Sequence, residues 1–174
     1  KEFGIGSGGV PLLTGTSIYQ EELEKLIAKI SGMDDTILFS SGYTANLGVI
    51  SGLIRPNNLI IHDQLDHASL LDGTVMSGAK MIRYKHGDIN DLERLLKDNS
   101  PQYPNGILVV TDGVFSMDGD IAKLPQILEI TRKYDAILLV DEAHATGVIG
   151  DKGAGTLSHD GITDRKNIIL TGTL

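Results

Sequence analysis

Six short apolar runs recur along the chain: TILFS (36–40), NLIIH (58–62), KMIRY (80–84), ILVVT (107–111), AILLVD (136–141) and NIILT (167–171). Each has the length of a strand. Most are continuously apolar rather than alternating, as strands covered on both faces must be. Between most of them lie segments with helical spacing of apolar residues: YTANLGVISGLI, ASLLDGTVM, INDLERLLKD and PQILEITRKY. The last carries a proline in its first turn, where a missing N–H costs nothing. Strands alternating with helices restrict the chain to the α/β class, with a mostly parallel sheet and helices on both faces.

Upstream, IYQEELEKLIAKISG places Leu23, Leu26, Ile27 and Ile30 at i, i+3, i+4 and i+7. Ser17 and Gln20 are spaced as a capping box and Gly32 as a stop, so an amphipathic helix is expected there. The Pro- and Gly-rich SPQYPNG (100–106) reads as a loop within one domain, and 174 residues, 41% of them hydrophobic, suffice for one core.

Composition excludes several functions. A net charge of −8 without clustered Lys or Arg argues against nucleic acid as a partner. The absence of cysteine excludes disulfides and thiolate metal sites. No apolar run approaches the ~18 residues of a membrane span, so a cytoplasmic protein is expected. The chain begins at Lys1 and stops at Leu174 inside NIILTGTL, which suggests part of a longer sequence.

In open parallel sheets ligands bind beyond the carboxyl ends of the strands. Those ends are Ser40–Tyr43, Asp63–His67, Thr111–Ser116, Asp141–His144 and Thr171–Thr173. In SSGY, which opens a helix, the amides of Gly42 and Tyr43 suit a phosphate, but the stretch equally suits a plain helix cap. His67 fits either an exposed residue near a helix start or an imidazole stacked on a planar ligand. TDGVFSMDGD (111–120) is either a glycine-punctuated turn or a loop presenting Asp112 and Ser116 to a ligand. His62, His86 and His159 lack metal-ligand spacing and read as surface or structural residues; no metal site is expected.

The stretch ILLVDEAH (137–144) poses a sharper choice. A DEAH nucleotide hydrolase also needs a phosphate loop G-x-x-x-x-G-K-[ST], which is missing; the glycine string GIGSGG (4–9) has no lysine after it. The alternative is a pyridine cofactor. A carboxylate at the end of a buried strand, Asp141, can hold a ring nitrogen protonated, and His144 can hydrogen-bond a ring hydroxyl. With a phosphate site at Gly42 and Tyr43 and a stacking imidazole at His67, pyridoxal 5′-phosphate (PLP) accounts for four strand ends at once.

The set GSGG…GTS, FSSGYTANLGVI, DHASLLDG, TDGVFSMDGDIAKLP, LLVDEAHATGVIG and TGTL resembles the α-oxoamine synthase family of fold-type I PLP enzymes, in order and over nearly the whole chain. The resemblance implies that residues 1–174 form part of the PLP-binding large domain. It implies a phosphate site at the Gly42 and Tyr43 amides with help from Thr173, stacking of His67 on the ring, and cofactor contacts from Ser116 and His144. Asp141 would pair with the ring nitrogen, and Asp112 matches an acidic position near the site. Pro11 stands where many relatives have Arg. The family's Schiff-base lysine would follow two residues beyond Leu174, and its C-terminal domain later still.

The activity implied is condensation of an amino acid with an acyl-CoA or acyl-carrier thioester, with decarboxylation, by a homodimer. Within the family, SGYTANLGVI and AHATGVIG look closer to 8-amino-7-oxononanoate synthases, which use alanine and a pimeloyl thioester in biotin synthesis. TDGVFSMDG looks closer to 2-amino-3-ketobutyrate CoA ligases, which use glycine and acetyl-CoA. A non-catalytic fragment and a DEAH hydrolase remain as readings of other classes.

Overall fold

The structure, a computed structural model, describes residues 6–104 and 106–174. The chain divides into two compact units, residues 1–38 and 39–174.

In the first unit, a single π-helical turn, Pro11–Gly15, precedes helix α1 (Ile18–Ser31). The part of the glycine string before Gly6 lies outside the described residues. The capping box is formed as expected: Ser17 N–H donates to Gln20 Oε1 at 2.8 Å and Gln20 N–H to Ser17 Oγ at 3.3 Å. Gly32 ends the helix in the left-handed region at φ 70°. The apolar stripe, however, is not buried: Leu26 is 57% and Ile30 53% exposed. A unit this small has no second apolar layer to set against it.

The second unit holds the sheet. Strands β1 (Leu59–Asp63), β2 (Lys80–Tyr84), β3 (Ile107–Asp112), β4 (Ile137–Asp141) and β5 (Ile168–Thr171) are all parallel, in the order β2-β1-β3-β4-β5. Helices α2 (Gly42–Leu53), α3 (Ala68–Ser77), α4 (Ile89–Asn99), α5 (Leu124–Lys133) and the short α6 (Thr156–His159) complete it.

Five of the six apolar runs are therefore strands. The sixth, TILFS, is not: residues 36–40 carry no strand pairing. A strand needs a laddered neighbour as well as apolar residues, and this run has none among the described residues. Phe39 instead packs on α2, so close to Gly48 that a β-carbon there would meet the ring at 2.5 Å.

The continuous runs are explained by the two helical layers. Successive strand residues point to opposite faces. On one face Ile60, Leu108, Val110 and Leu139 pack with Ile50 and Leu70 of α2 and α3. On the other, Ile61, Val109, Leu138 and Val140 pack with Leu92 and Leu96 of α4 and Leu124 and Ile127 of α5.

The strand order reverses direction between β1 and β3: the chain moves outward to β2, then crosses back past β1 to β3 and on to β4 and β5. Such a switch point leaves a crevice beyond the carboxyl ends of the strands on either side of it. The last residues of β1, β3 and β4 are all aspartates: Asp63, Asp112 and Asp141.

Candidate active site

Asp112 and Asp141 are register partners on adjacent strands, and Asp141 pairs in turn with Thr171. Both carboxylates are buried, Asp112 4% and Asp141 6% exposed. Asp141 is held at both oxygens. Oδ1 accepts from the Ala143 N–H at 2.9 Å, and Oδ2 accepts from Asn46 Nδ2 at 2.7 Å. Asn46 lies on the buried face of α2, and its Nδ2 also donates to Ser69 Oγ of α3 at 2.8 Å.

His67 is the N-cap of α3. Its Nδ1 lies 2.7 Å from Ser69 Oγ and accepts from the Ser69 N–H at 3.3 Å, while the residue itself is exposed. The sequence placed this histidine near a helix start, and it is the cap itself; that role is compatible with the ligand reading, because one nitrogen serves the helix and leaves the ring face open.

Burial pushes the Asp112 carboxyl up to about 7, and the neighbouring Asp141 charge pushes the same way. A hydrogen bond from the His67 backbone opposes the rise and Asp63 adds to it. The Asp112 N–H donates to Asp66 Oδ1 at 3.2 Å, so β3 and the loop after β1 are stitched together at the crevice.

Beneath them His62, fully buried, bonds Asp66 Oδ2 through Nδ1 and Thr74 Oγ1 through Nε2, each at 2.8 Å. His86 bridges Asp63 at 2.8 Å and Asp120 at 3.0 Å, fastening the loop that carries Ser116. His62 and His86 are thus structural residues, as their spacing suggested.

At the start of α2, Ser41 caps the helix by accepting from the Thr44 N–H at 3.1 Å, and the Ala45 N–H donates to the Ser41 carbonyl. The Gly42 and Tyr43 amides, in the first turn, have no intrahelical acceptor. Thr173 lies against this end: a β-carbon on Gly42 would sit 3.1 Å from Thr173 Cβ and 3.3 Å from the Gly172 carbonyl oxygen. That close approach, rather than its dihedrals, favours glycine here. The Tyr43 hydroxyl donates to Asp72, tying α2 to α3.

Ser116 and His144 are brought less closely together with the rest. Ser116 is exposed in the turn Phe115–Gly119 and His144 in the turn after β4. Neither side chain makes a hydrogen bond among the described residues. Glu142, the second acid of the DEAH string, is buried, and its carboxylate accepts from Thr156 N–H at 2.9 Å and from Thr156 Oγ1. This acid is spent on folding the loop between β4 and α6, which removes the carboxylate pair a nucleotide hydrolase would use.

Sequence reasoning passed over Asn46 and Ser69. A signal was present: Asn46 shares a helical face with the buried Ile50, and Ser69 with Gly73, whose absent side chain lets α3 approach the Asn46 carbonyl. A polar residue on a buried face demands a partner.

Among the buried atoms that lack a hydrogen-bond partner are Asn46 Oδ1, Asp112 Oδ1 and Thr171 Oγ1, all at the carboxyl edge. Together with the two free amides, they suit a flat ligand with an anionic group at one end and an N–H donor at the other, and PLP has both. No cluster of three potential metal ligands exists among the described residues.

The sequence model of the aminotransferase class I and II family matches residues 2–174. The chain belongs to this family. Among curated class I and II relatives, the putative 8-amino-7-oxononanoate synthase of Trichodesmium erythraeum is 48% identical over the whole chain, which spans 44% of that relative. The 8-amino-7-oxononanoate synthase of Thermoanaerobacter pseudethanolicus is 44% identical, again over 44% of its length.

Among solved structures, a serine palmitoyltransferase from S. paucimobilis with bound PLP and myriocin superimposes with a TM-score of 0.90 at 36% identity, covering 98% of this chain and 42% of that one. The 8-amino-7-oxononanoate synthase of Francisella tularensis gives 0.78 at 32%, covering 97% and 46%. These are α-oxoamine synthases, as the motifs implied, and the fold is the fold-type I α/β arrangement expected. The chain spans under half the length of these relatives.

Proposed function

We propose that the full-length protein is a PLP-dependent C-acyltransferase that condenses L-alanine with a pimeloyl thioester, on CoA or an acyl carrier, releasing carbon dioxide to give 8-amino-7-oxononanoate. The observation that carries this reading is the pairing of a buried, doubly held carboxylate, Asp141, with an open helix start at Gly42 on the same edge of the sheet. The name shared by curated relatives 43% to 48% identical supports the choice of substrate. In the same reading, residues 1–174 are part of the PLP-binding large domain, and the Schiff-base lysine and the C-terminal domain belong to the stretch of the relatives that this chain does not span.

When bound, PLP supplies an electron sink that stabilises negative charge at the amino acid's Cα. The residues of this chain would hold and orient it. The Gly42 and Tyr43 amides, at the positive end of α2, would bind the phosphate, with the Thr173 hydroxyl beside them. Asp141 would accept from the ring N–H and keep the ring cationic, its orientation fixed by Asn46 and Ala143. His67 would stack on the ring, His144 would contact the phenolic oxygen, and Ser116 would make a further cofactor contact. Asp112 would sit at the same edge, its carboxyl raised by burial to about 7 and so shared between its protonated and charged forms near neutral pH. Together these groups would orient a planar ring.

A homodimer belongs to the same reading, supported by the exposed Leu12, Leu13, Leu26 and Ile30, which a second copy would cover. So does a cytoplasmic location, supported by the absence of a described helix long and apolar enough to cross a membrane.

The test is product formation by the purified full-length protein with PLP. Alanine plus pimeloyl-CoA is expected to give carbon dioxide and free CoA in equal amounts. Preferential turnover of glycine with acetyl-CoA, or of serine with palmitoyl-CoA, would reassign the substrate. No turnover of any acyl thioester by PLP-loaded protein would overturn the acyltransferase reading.

A further inference from the structure

Asn46 and Ser69 connect two of the side chains assigned to the cofactor. The chain of contacts runs from Asp141 Oδ2 to Asn46 Nδ2 at 2.7 Å, from Asn46 Nδ2 to Ser69 Oγ at 2.8 Å, and from Ser69 Oγ to His67 Nδ1 at 2.7 Å. Asn46 and Ser69 are buried, so water cannot substitute for a missing partner. The direction of every bond follows from the first. A carboxylate only accepts, so the amide must turn its NH2 toward Asp141. The same nitrogen then donates to Ser69 Oγ, which leaves the Ser69 O–H to donate onward, and the acceptor in reach is His67 Nδ1. The Ser69 backbone N–H, also aimed at Nδ1, requires an acceptor there too.

We propose that Asn46 and Ser69 are positioning residues that transmit the orientation of Asp141 to His67, fixing its ring plane and placing its ring proton on Nε2. Asp141 would hold the pyridine nitrogen and His67 would stack on the ring, with Nδ1 committed to α3 and Nε2–H free. The carboxylate and the imidazole are thereby oriented as one unit, across two helices, before any ligand arrives. This inference rests on the cofactor roles assigned above to Asp141 and His67, but the direction of the relay is a property of the protein alone.

The test reads the His67 ring nitrogens by NMR in full-length protein labelled with 15N-histidine, without PLP. Wild type is expected to carry its proton on Nε2. Ser69→Ala removes the hydroxyl donor but keeps the backbone one. It should reduce the tautomer bias by about fivefold to tenfold, the population ratio of one ordinary hydrogen bond. Asn46→Asp should act more strongly. A carboxyl sharing one proton with Asp141 would accept from the Ser69 hydroxyl, withdraw it from His67 and move population to Nδ1–H.

An Nδ1–H signal in wild type, or an unchanged Nε2–H signal in both variants, would overturn the relay. Circular dichroism matching wild type, recorded on the same samples, separates these results from misfolding. The absorbance of added PLP supplies the second readout: Ser69→Ala is expected to shift the band of the bound cofactor while leaving it bound. Wild-type protein that binds no PLP at all would sink the proposed function and leave the tautomer result standing, so the two failures are distinguishable.

Discussion

Replacing Asp66 by asparagine and by alanine distinguishes two charge states of the buried His62–Asp66 pair under the crevice. The Thr74 hydroxyl donates to the Leu70 carbonyl at 3.0 Å, so it offers His62 Nε2 only a lone pair, and Nε2 must carry a proton. The proton between His62 Nδ1 and Asp66 Oδ2 then belongs either to the imidazole, giving an ion pair, or to the carboxyl, giving a neutral pair. Burial decides. It pushes His62 down to about 4, with the Arg83 charge adding, and it pushes Asp66 well up, with the charges of Asp112 and Asp63 adding. The pair is therefore neutral at pH 7, with the Asp66 carboxyl donating to His62.

An asparagine repeats that arrangement: its NH2 donates to Nδ1 and its oxygen accepts from the Asp112 N–H. The expected loss is under about 1 kcal/mol. Alanine instead strands two buried groups, His62 Nδ1 and the Asp112 N–H, each costing about 1–3 kcal/mol, for a total of roughly 2–6 kcal/mol. Had the pair been ionic, asparagine would leave a buried imidazolium without its counter-charge, at about 3–5 kcal/mol. Equilibrium urea unfolding of the full-length apoprotein at pH 7 measures the difference. Asp66→Asn as destabilising as Asp66→Ala would refute the neutral pair.

Three further outcomes are expected. Asp112 binds its proton more tightly folded than unfolded, so it lowers stability as pH rises from about 4 through 7, by up to roughly 4 kcal/mol; Asp112→Asn apoprotein should be more stable than wild type at pH 8 with the gap closing toward pH 4, and a pH-independent gap would contradict this. Gly155→Ala places a β-carbon 2.3 Å from Glu142 Oε2 at φ +87°, against a carboxylate pinned by Thr156, and should cost at least about 2 kcal/mol in the same unfolding assay. Asp141→Asn should retain PLP by absorbance yet abolish turnover, and near-wild-type activity would remove the role assigned to Asp141.

Much of this architecture is legible in the sequence because two-sided burial leaves a plain trace. KMIRY is β2 to the residue, and the Ser17–Gln20 box and Gly32 bound α1 as read. TILFS misleads because strand formation needs a neighbour, and no run of letters states whether one is present. The strand-end rule finds Asp141, Asp112 and His67 because topology puts them beside the crevice; it reaches Gly42 only through TILFS, a run that is no strand, and Gly42 comes to this edge by packing of the α2 start against Gly172 and Thr173. It does not find Asn46 or Ser69, which lie inside helices and gain meaning only when α2 and α3 pack closely enough to join them. Nor does it separate Asp141 from Glu142, adjacent acids that the backbone turns to different tasks.

The most direct measurement is a crystal structure of the full-length protein with PLP. The account predicts the pyridine nitrogen within hydrogen-bond distance of an Asp141 carboxylate oxygen, the phosphate on the Gly42 and Tyr43 amides, and His67 against the ring face. A ring bound elsewhere, or bound here with its nitrogen away from Asp141, would contradict it.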